Sequence, residues 1–368
     1  MAIHTLFLLL FLSLISSDKA AESPEATTNA PAAPPRNIIL MIGDGMGISQ
    51  ISAGMYANGD KTNLEKFPAI GLQKTYAASS LITDSAASAT ALACGVKTYN
   101  GAIGVNTDTM PVISILDEAE MRNLATGMVT TSSLTNATTA AFIAHVKSCS
   151  MVEEIAADFL KTEIDLIIGG GENAFNRRKS DRRNLLQELE KKGYFVSDYN
   201  QLPLSDIVPV TGQNFAYFTA AEEPLPASQG RDYLPKASNM ATYFLNNRSG
   251  KKGFFLLIEA AQIDWASREN NSDYIVSEMI DFDNAIGEVM KFAERDGQTL
   301  VIVTAGYETG GFAITPGSQM DSLITAFTTD KQTASLTPVF AYGPGAERFR
   351  GIYENTAIYK KMKEALGW

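Results

Sequence analysis

The 368-residue chain contains few histidines and cysteines, less positive than negative charge, and only one long apolar run. Its only histidines are His4 and His145, and its only cysteines are Cys94 and Cys149. Two cysteines permit a single disulfide, and the sequence leaves that pairing open. The 30 Lys and Arg residues are outnumbered by 41 Asp and Glu, which gives a formal net charge of −11. Proteins that read a phosphate backbone carry a basic excess or patch, so we expect no nucleic-acid partner.

The one long apolar run covers residues 6–15. It has the length of a signal-peptide core and is too short to cross a bilayer, so we predict a signal peptide over residues 1–17 with an undefined end. This predicts export to the periplasm or the exterior, and no later segment predicts a transmembrane span. Residues 18–35 are rich in Ala, Pro and Thr, which predicts a disordered tether. The remainder, residues 36–368, is expected to form the main domain, with an inserted variable region at about 171–250.

The full chain has the apolar and charged content of an ordinary globular protein. Short apolar runs rich in β-branched residues predict buried parallel strands at residues 37–42, 126–131, 165–168, 254–258, 300–304 and 338–342. Apolar residues spaced three and four apart predict helices at residues 110–122, 151–161, 184–192, 237–246 and 277–296. This alternation predicts an α/β fold in three layers, with a large, mostly parallel sheet and helices on both of its faces.

Carboxylates follow two of the predicted strands. Asp44 comes after the first strand, Glu259 after the fourth, and Asp264 lies five residues further along the same predicted loop. Ligands of such sheets bind at the carboxyl ends of the strands, where a buried carboxylate needs a cation or hydrogen-bond donors. Any one of these acids alone is equally well explained as a helix cap or a surface residue. Together they favour a cation site.

Ser85 is followed by a run of small residues with good helix propensity, and it is preceded by Thr83 and Asp84. This pattern places Ser85 at the N-terminus of a helix, where unpaired backbone N–H groups favour an anion such as phosphate. An Asp-Ser pair in front of a helix is usually a simple cap, so the motif is weak by itself.

Taken together, several segments resemble the alkaline phosphatase family, its bacterial members most closely. They occur in family order at residues 37–47, 83–90 with 95–100, 136–138 with 144–146, 259–265, 303–305 with 308–312, and 338–345. The resemblance covers the chain from about residue 36 to the C-terminus. It implies the family fold, hydrolysis of phosphate monoesters through a phosphoserine intermediate, two zinc ions and one magnesium ion, and a homodimer.

By position, the resemblance gives Ser85 the role of the nucleophile. Asp44 corresponds to a ligand that bridges one zinc and the magnesium, Thr138 and Glu259 to the other magnesium ligands, and Asp264 to a ligand of the second zinc. The implied ligand is phosphate or a phosphate monoester.

The chain departs from the family pattern at the remaining site positions. Gly306 and Tyr307 replace the Asp-His pair that would complete the serine-activating zinc site, and Arg268 and Gln332 replace the two histidines of the second zinc. Tyrosine and glutamine are poor zinc ligands, and arginine does not lose its proton to bind a metal. We therefore expect no ordinary two-zinc centre.

Two further departures lie at Asn136, near the magnesium position, and at Cys149, where the family has the arginine that clamps phosphate. His145 matches a position inside a helix, so we expect a packed, hydrogen-bonded residue rather than a metal ligand. Asp44, Thr138 and Glu259 still offer two carboxylates and a hydroxyl, which suit one magnesium ion.

These departures predict a family member with impaired or absent hydrolysis. Two alternatives stay open: an active phosphomonoesterase that uses fewer or different metals, and a protein that binds phosphate or a phosphorylated ligand without turnover. Arg268 follows Asp264 by four residues, so we also consider that its charge occupies the space of a zinc ion, by pairing with Asp264 or with a phosphate.

Overall fold

The computed structural model describes residues 33–320 and 322–368. The predicted signal peptide and residues 18–32 of the predicted tether lie outside the described residues. From residue 33 onward the chain forms one compact unit. No helix of the described residues has the length and apolarity that crossing a membrane requires.

The strands of the described chain are β1 (Asn37–Gly43), β2 (Ala69–Lys74), β3 (Ala125–Ser133), β4 (Leu166–Gly170), β5 (Phe195–Asp198), β6 (Phe215–Phe218), β7 (Phe254–Ala260), β8 (Thr299–Thr304), β9 (Glu308–Thr309), β10 (Ala313–Ile314), β11 (Thr325–Ala326), β12 (Gln332–Thr333), β13 (Thr337–Tyr342) and β14 (Gly351–Glu354). The α-helices are α1 (Ile48–Ala57), α2 (Ser85–Cys94), α3 (Ile115–Met121), α4 (Ala137–Ala140), α5 (Val152–Asp158), α6 (Asn173–Asn176), α7 (Leu185–Lys191), α8 (Tyr233–Ser249), α9 (Gln262–Arg268), α10 (Ser272–Asp296) and α11 (Thr356–Leu366).

Ten strands form one large sheet in the order β14-β2-β13-β8-β1-β7-β3-β4-β6-β5. Each pair of neighbours is parallel except for the two pairs that include β13. The mostly parallel sheet is therefore confirmed. The parallel direction predicted for the strand at residues 338–342, which corresponds to β13, is wrong. Among the described residues between β8 and β13 there is no helix to carry the chain back to the opposite end of the sheet. The chain instead turns back at the end of the sheet where β8 ends, so β13 runs antiparallel to β8.

Both faces of the sheet are covered, which confirms the three layers. Along β1, Ile38, Leu40 and Ile42 pack into one apolar cluster, which includes residues of α2, α3, α5 and α11. The alternate residues Ile39 and Met41 pack into the other cluster, which includes residues of α1, α8 and α10. Because neighbouring side chains of a strand point to opposite faces, a continuous apolar run is what a strand buried on both sides requires.

Four predicted helices are confirmed with shifted ends, and the fifth begins later than predicted. Residues 110–114 precede α3, which starts only after Ser114. The Ser114 hydroxyl accepts a hydrogen bond from the Asp117 amide, and the Asp117 carboxylate accepts one from the Ser114 amide. This capping box sets the start of the helix, so the apolar spacing of the preceding residues was misleading.

The side chain of Glu120 on α3 gives a pH-dependent contribution to stability. Burial is the main cause that raises its pKa from 4.5 to about 7, although Thr126 donates a hydrogen bond to it. A carboxyl whose folded-state pKa is raised disfavours the folded state as pH rises from about 4.5 to 7. We expect Glu120→Gln to be more stable than the unmodified protein at pH 8, by about 1–2 kcal/mol, and equally stable near pH 4. Urea unfolding at both pH values measures this, with exposed Glu190→Gln as the control. Equal stabilities at pH 8 would contradict it.

Candidate active site

The carboxylates predicted to follow the strands lie close together at the carboxyl ends of two neighbouring strands. Strands β1 and β7 are adjacent, with Ile42 opposite Glu259, and the Asp44 amide donates a hydrogen bond of 3.1 Å to the carbonyl of Ala260. Asp264 lies in the first turn of α9 rather than in a loop, and it is buried. The carboxyl ends of β1 and β7 therefore bring Asp44, Glu259 and Asp264 into one region.

Helix α2 begins at Ser85, as the sequence predicts. Asp84 is its N-cap: its carboxylate accepts hydrogen bonds from the Ala87 amide at 2.8 Å and from the Gly101 amide at 2.6 Å. A capping carboxylate satisfies backbone donors that the helix itself leaves unpaired. The cap fixes the first turn, and the Ser85 side chain extends from it toward Asp44.

Ser85, Asp44 and Tyr307 form a compact group of three oxygen atoms. Ser85 Oγ lies 3.1 Å from Asp44 Oδ2 and 2.5 Å from the Tyr307 hydroxyl, and that hydroxyl donates to Asp44 Oδ2 at 2.8 Å. Tyr307 is fully buried. Its hydroxyl therefore contacts both of the atoms that a cation between Ser85 and Asp44 would contact.

Burial and neighbouring charge raise the pKa values of the two acids in this group. Burial is the main cause that raises the pKa of Asp44 well above its usual value, followed by the charges of Asp264 and Glu259. The pKa of Tyr307 is raised well above its ordinary value, again mainly by burial and then by Asp264 and Asp44. Desolvation disfavours the charged form of each acid, so Tyr307 acts as a neutral hydrogen-bond donor.

Arg268 forms an ion pair with Asp264 inside α9. Arg268 Nε donates to Asp264 Oδ2 at 2.6 Å, and the hydroxyl of Thr309 donates to the other carboxylate oxygen at 2.5 Å. The structure thus confirms the pairing of Arg268 with Asp264 considered from the sequence. Gln332 lies on β12 directly opposite Thr309, which places it next to this pair.

Glu259 has donors for one carboxylate oxygen only. Its Oε2 accepts hydrogen bonds from Thr130 at 2.5 Å and from Ser132 at 3.3 Å, whereas its Oε1 is buried without a hydrogen-bond partner. Burial raises the pKa of Glu259 from 4.5 to about 7, while the hydroxyls of Thr130, Thr138 and Ser132 act in the opposite direction. Thr138 is buried in the short helix α4. An unpaired buried carboxylate oxygen is what a bound cation would satisfy.

The other positions singled out from the sequence have contacts of their own. Asn136 caps α4 through a 2.7 Å hydrogen bond from the Ala137 amide. Cys149 is half-buried and close enough to Asp84 for that charge to add to burial in raising the thiol pKa, and neither Cys149 nor Cys94 forms a disulfide. A Cβ atom on Gly306 would lie 3.9 Å from Asp44 Oδ1 and only 2.4 Å from the Ser88 hydroxyl.

His145 lies in the irregular segment after α4, so its predicted position inside a helix is wrong, but it is hydrogen-bonded as expected. Its Nδ1 is 2.8 Å from the carbonyl of Gly104, and its Nε2 is 3.4 Å from Asp117. Within the described residues, no three His, Cys, Asp or Glu side chains are grouped closely enough to hold a metal ion between them. The sequence did not predict the contact of Tyr307 with Ser85, because only the fold brings position 307 to the start of α2.

Comparison with known proteins agrees with this architecture. A sequence profile described as alkaline phosphatase matches residues 35–334. Alkaline phosphatase 4 of Bacillus subtilis is 33% identical, and the match covers 89% of each chain. The structure of alkaline phosphatase from the Antarctic bacterium TAB5 is 40% identical, with a TM-score of 0.86 over 91% of this chain and 99% of the other. A His 135 Asp mutant of that enzyme, described as having Mg bound in the M3 site, has a TM-score of 0.85 at the same identity and coverage. This chain belongs to the alkaline phosphatase family.

Proposed function

We propose that this chain retains the phosphomonoesterase scaffold of its family but hydrolyses phosphate monoesters poorly or not at all. The observation that carries this proposal is the position of Tyr307, whose hydroxyl contacts both Ser85 Oγ and Asp44 Oδ2. The atoms that would share an activating cation in the family mechanism instead share a neutral hydroxyl. A neutral phenol provides no positive charge with which to lower the pKa of the serine.

The residues at the two zinc positions do not fit zinc. Zinc takes thiolate, imidazole or carboxylate ligands, whereas Gly306 has no side chain and Arg268 carries a positive charge. Tyr307 is held neutral by burial, and Gln332 offers only an amide. We therefore assign no chemical step to zinc in this protein.

The residues at the magnesium position do fit a hard cation. Asp44, Thr138 and Glu259 offer oxygen ligands, and the buried Oε1 of Glu259 lacks any other partner. A magnesium ion held by these three residues would supply positive charge next to the Ser85–Asp44 pair. Ser132 and Thr130 would hold Glu259 in place from the other side.

The replacement of the phosphate-clamping arginine by Cys149 also predicts slower hydrolysis. A half-buried thiol whose pKa is raised stays neutral and cannot form the paired charge-assisted hydrogen bonds of a guanidinium. Asp84, which lies nearby, directs its carboxylate to backbone amides and adds negative charge beside Ser85. Without cations this environment disfavours an anion, so the alternative of binding phosphate without turnover requires the cation at Asp44, Thr138 and Glu259.

Phosphate monoesters remain the proposed ligand class. The Ser85 segment is present, and so are the carboxylates that the family has at the carboxyl ends of β1 and β7. Export through residues 1–17 and assembly into a homodimer are also part of the proposal. They follow from the sequence pattern and from the family, respectively.

The proposal predicts very low turnover of p-nitrophenyl phosphate at alkaline pH in the presence of zinc and magnesium. Loss of zinc activation and of the clamp each removes several kcal/mol of barrier reduction, so we expect a rate many orders of magnitude below that of an active relative. Ser85→Ala is the matched control, and the two proteins should be indistinguishable. Turnover close to that of the relative and dependent on Ser85 would instead establish the alternative of an active enzyme with fewer or different metals.

Metal content gives a second, independent measurement. Elemental analysis of protein dialysed against both metals should find about one magnesium and no stoichiometric zinc. Glu259→Gln should abolish the bound magnesium. Two retained zinc ions would contradict the ligand argument even if the protein were inactive.

A further inference from the structure

The folded site buries more negative charge than a protein interior accommodates without partners. Asp44, Glu259 and Asp264 are 4%, 0% and 2% exposed. The negative charges of Asp264 and Glu259 both raise the pKa of Asp44, so the three carboxyl groups lie close enough to interact. Removing carboxylates from water is unfavourable by several kcal/mol each unless cations or donors replace the water. The partners that each carboxylate has therefore indicate which cations the fold can do without.

Asp264 has a complete set of partners from the protein itself. The guanidinium of Arg268 supplies a full positive charge at 2.6 Å, and Thr309 supplies a donor to the second oxygen. The Arg268 side chain is 40% exposed and that of Asp264 is 3% exposed, so the arginine brings its charge from the surface to a buried acid. The i, i+4 spacing within α9 places the two side chains on the same face of the helix.

Asp44 is also provided with donors, although these are neutral. Tyr307 and Ser85 both approach Asp44 Oδ2, and the Tyr307 side chain is fully buried. The Ser88 hydroxyl occupies the space beside Gly306 in which a side chain at that position would begin. Of the three acids, only Glu259 retains a buried oxygen without a partner.

We infer that Arg268 and Tyr307 are built-in replacements for cations, and that they make the folded site independent of zinc. Arg268 neutralises Asp264, and Tyr307 fills and hydrogen-bonds the space between Ser85 and Asp44. This inference concerns stability and goes beyond the proposed function, which concerns turnover. It shares with the proposed function the absence of a zinc centre, so bound zinc would contradict both statements. Turnover by a zinc-free protein would contradict the proposed function alone, and a melting temperature insensitive to Arg268→Ala and Tyr307→Phe would contradict this inference alone.

The first test uses the unmodified full chain. Its melting temperature is measured by calorimetry after dialysis against EDTA, and then with added zinc or magnesium. We expect zinc to change the melting temperature by less than about 1 °C relative to EDTA, because a ligand stabilises only a fold to which it binds. An increase of several degrees with equimolar zinc, or stoichiometric zinc in the purified protein, would overturn the inference.

The second test removes the proposed replacement charge. Arg268→Ala leaves Asp264 buried without its cation, and we expect the melting temperature in EDTA to fall by about 2–6 °C at pH 8. Lys236→Ala is the matched control, since Lys236 and Asp232 form an i, i+4 pair at 2.6 Å with both side chains exposed. Arg268→Lys, which keeps a positive charge, should recover part of the loss. If Arg268→Ala shifts the melting temperature no more than Lys236→Ala does, Arg268 is not a replacement cation.

Tyr307→Phe tests the hydroxyl separately, because it keeps the ring and removes only the hydroxyl that contacts Ser85 and Asp44. We expect this variant to have a lower melting temperature than the unmodified chain, and added zinc should not restore it. Reversal of this decrease by equimolar zinc would show that the space between Ser85 and Asp44 still functions as a zinc site, and would overturn the inference.

Discussion

A variant with Gly306→Asp and with histidine at positions 268, 307 and 332 should bind zinc and hydrolyse phosphate monoesters at least about 10²–10⁴ times faster than the unmodified chain. The four changes return carboxylate and imidazole to positions at which the chain now has no zinc ligand, beside Asp44 and Asp264. Bound cations would then supply the positive charge that Tyr307 lacks. The measurements are kcat/KM for p-nitrophenyl phosphate and the zinc content of the dialysed protein.

The same four changes combined with Ser85→Ala provide the control, since a zinc-dependent gain at this site must pass through the serine. Persistence of the gain without Ser85 would assign it to a contaminant or to another site. Failure to bind zinc in a folded variant would show that the positional correspondence with the family is wrong. Adding Cys149→Arg should increase the rate again, by returning a guanidinium that can hold two phosphate oxygens.

One of the four changes, Gly306→Asp, requires a neighbouring side chain to move. A Cβ atom at position 306 would lie 2.4 Å from Ser88 Oγ, so the Ser88 hydroxyl must rotate away from its contact with the carbonyl of Ser85. Ser88→Ala removes that obstacle. We therefore expect the four changes to be better tolerated together with Ser88→Ala, as a comparison of melting temperatures would show.

Arg231→Ala should be among the most destabilising single substitutions, with a loss of about 3–5 kcal/mol in the free energy of unfolding. Arg231 is 7% exposed and pairs with Glu278 at 2.7 Å and with Asp281 at 2.6 Å, both on α10. Its removal leaves two carboxylates of α10 without their cation, although Glu278 still accepts a hydrogen bond from the Ala227 amide. Urea unfolding at pH 7 measures the effect.

The pH dependence separates lost charge pairing from lost packing. Burial already raises the pKa values of Glu278 and Asp281 despite Arg231, and loss of the arginine should raise them further. Since protonation neutralises the unpaired acids, the destabilisation should shrink as pH falls toward 4. Arg183→Ala, at an exposed pair with Glu188, is the control and should change stability by less than about 1 kcal/mol. A loss for Arg231→Ala that is independent of pH would mean that packing accounts for it.

The residues indicated most of the sheet in advance, because strands buried on both faces must be continuously apolar. Runs such as those of β1 and β7 met that requirement, and both occupy the centre of the sheet. The edge strand β14 and its neighbour β2 did not stand out, since parts of both strands remain exposed and their residues are mixed. The direction of β13 depends on its connection rather than on its composition, so its apolar run gave no indication of it.

At the site, the sequence alone determined the family and the chemical identity of each replaced position. Ser85 at the start of a helix, and Asp44 and Glu259 at the ends of strands, follow from local patterns, because caps and strand ends are set by nearby residues. The pairing of Arg268 with Asp264 was also accessible from the sequence, since one helical turn separates them.

Only the tertiary structure decided what replaces the missing ligands. Tyr307 is 222 residues from Ser85 and 263 residues from Asp44 in the chain, yet its hydroxyl contacts both. Likewise, the unpaired oxygen of Glu259 and the Ser88 hydroxyl beside Gly306 depend on packing between separate elements. Sequence spacing carries no information about distances between such elements, whereas the type of each side chain already fixes which metals it can bind.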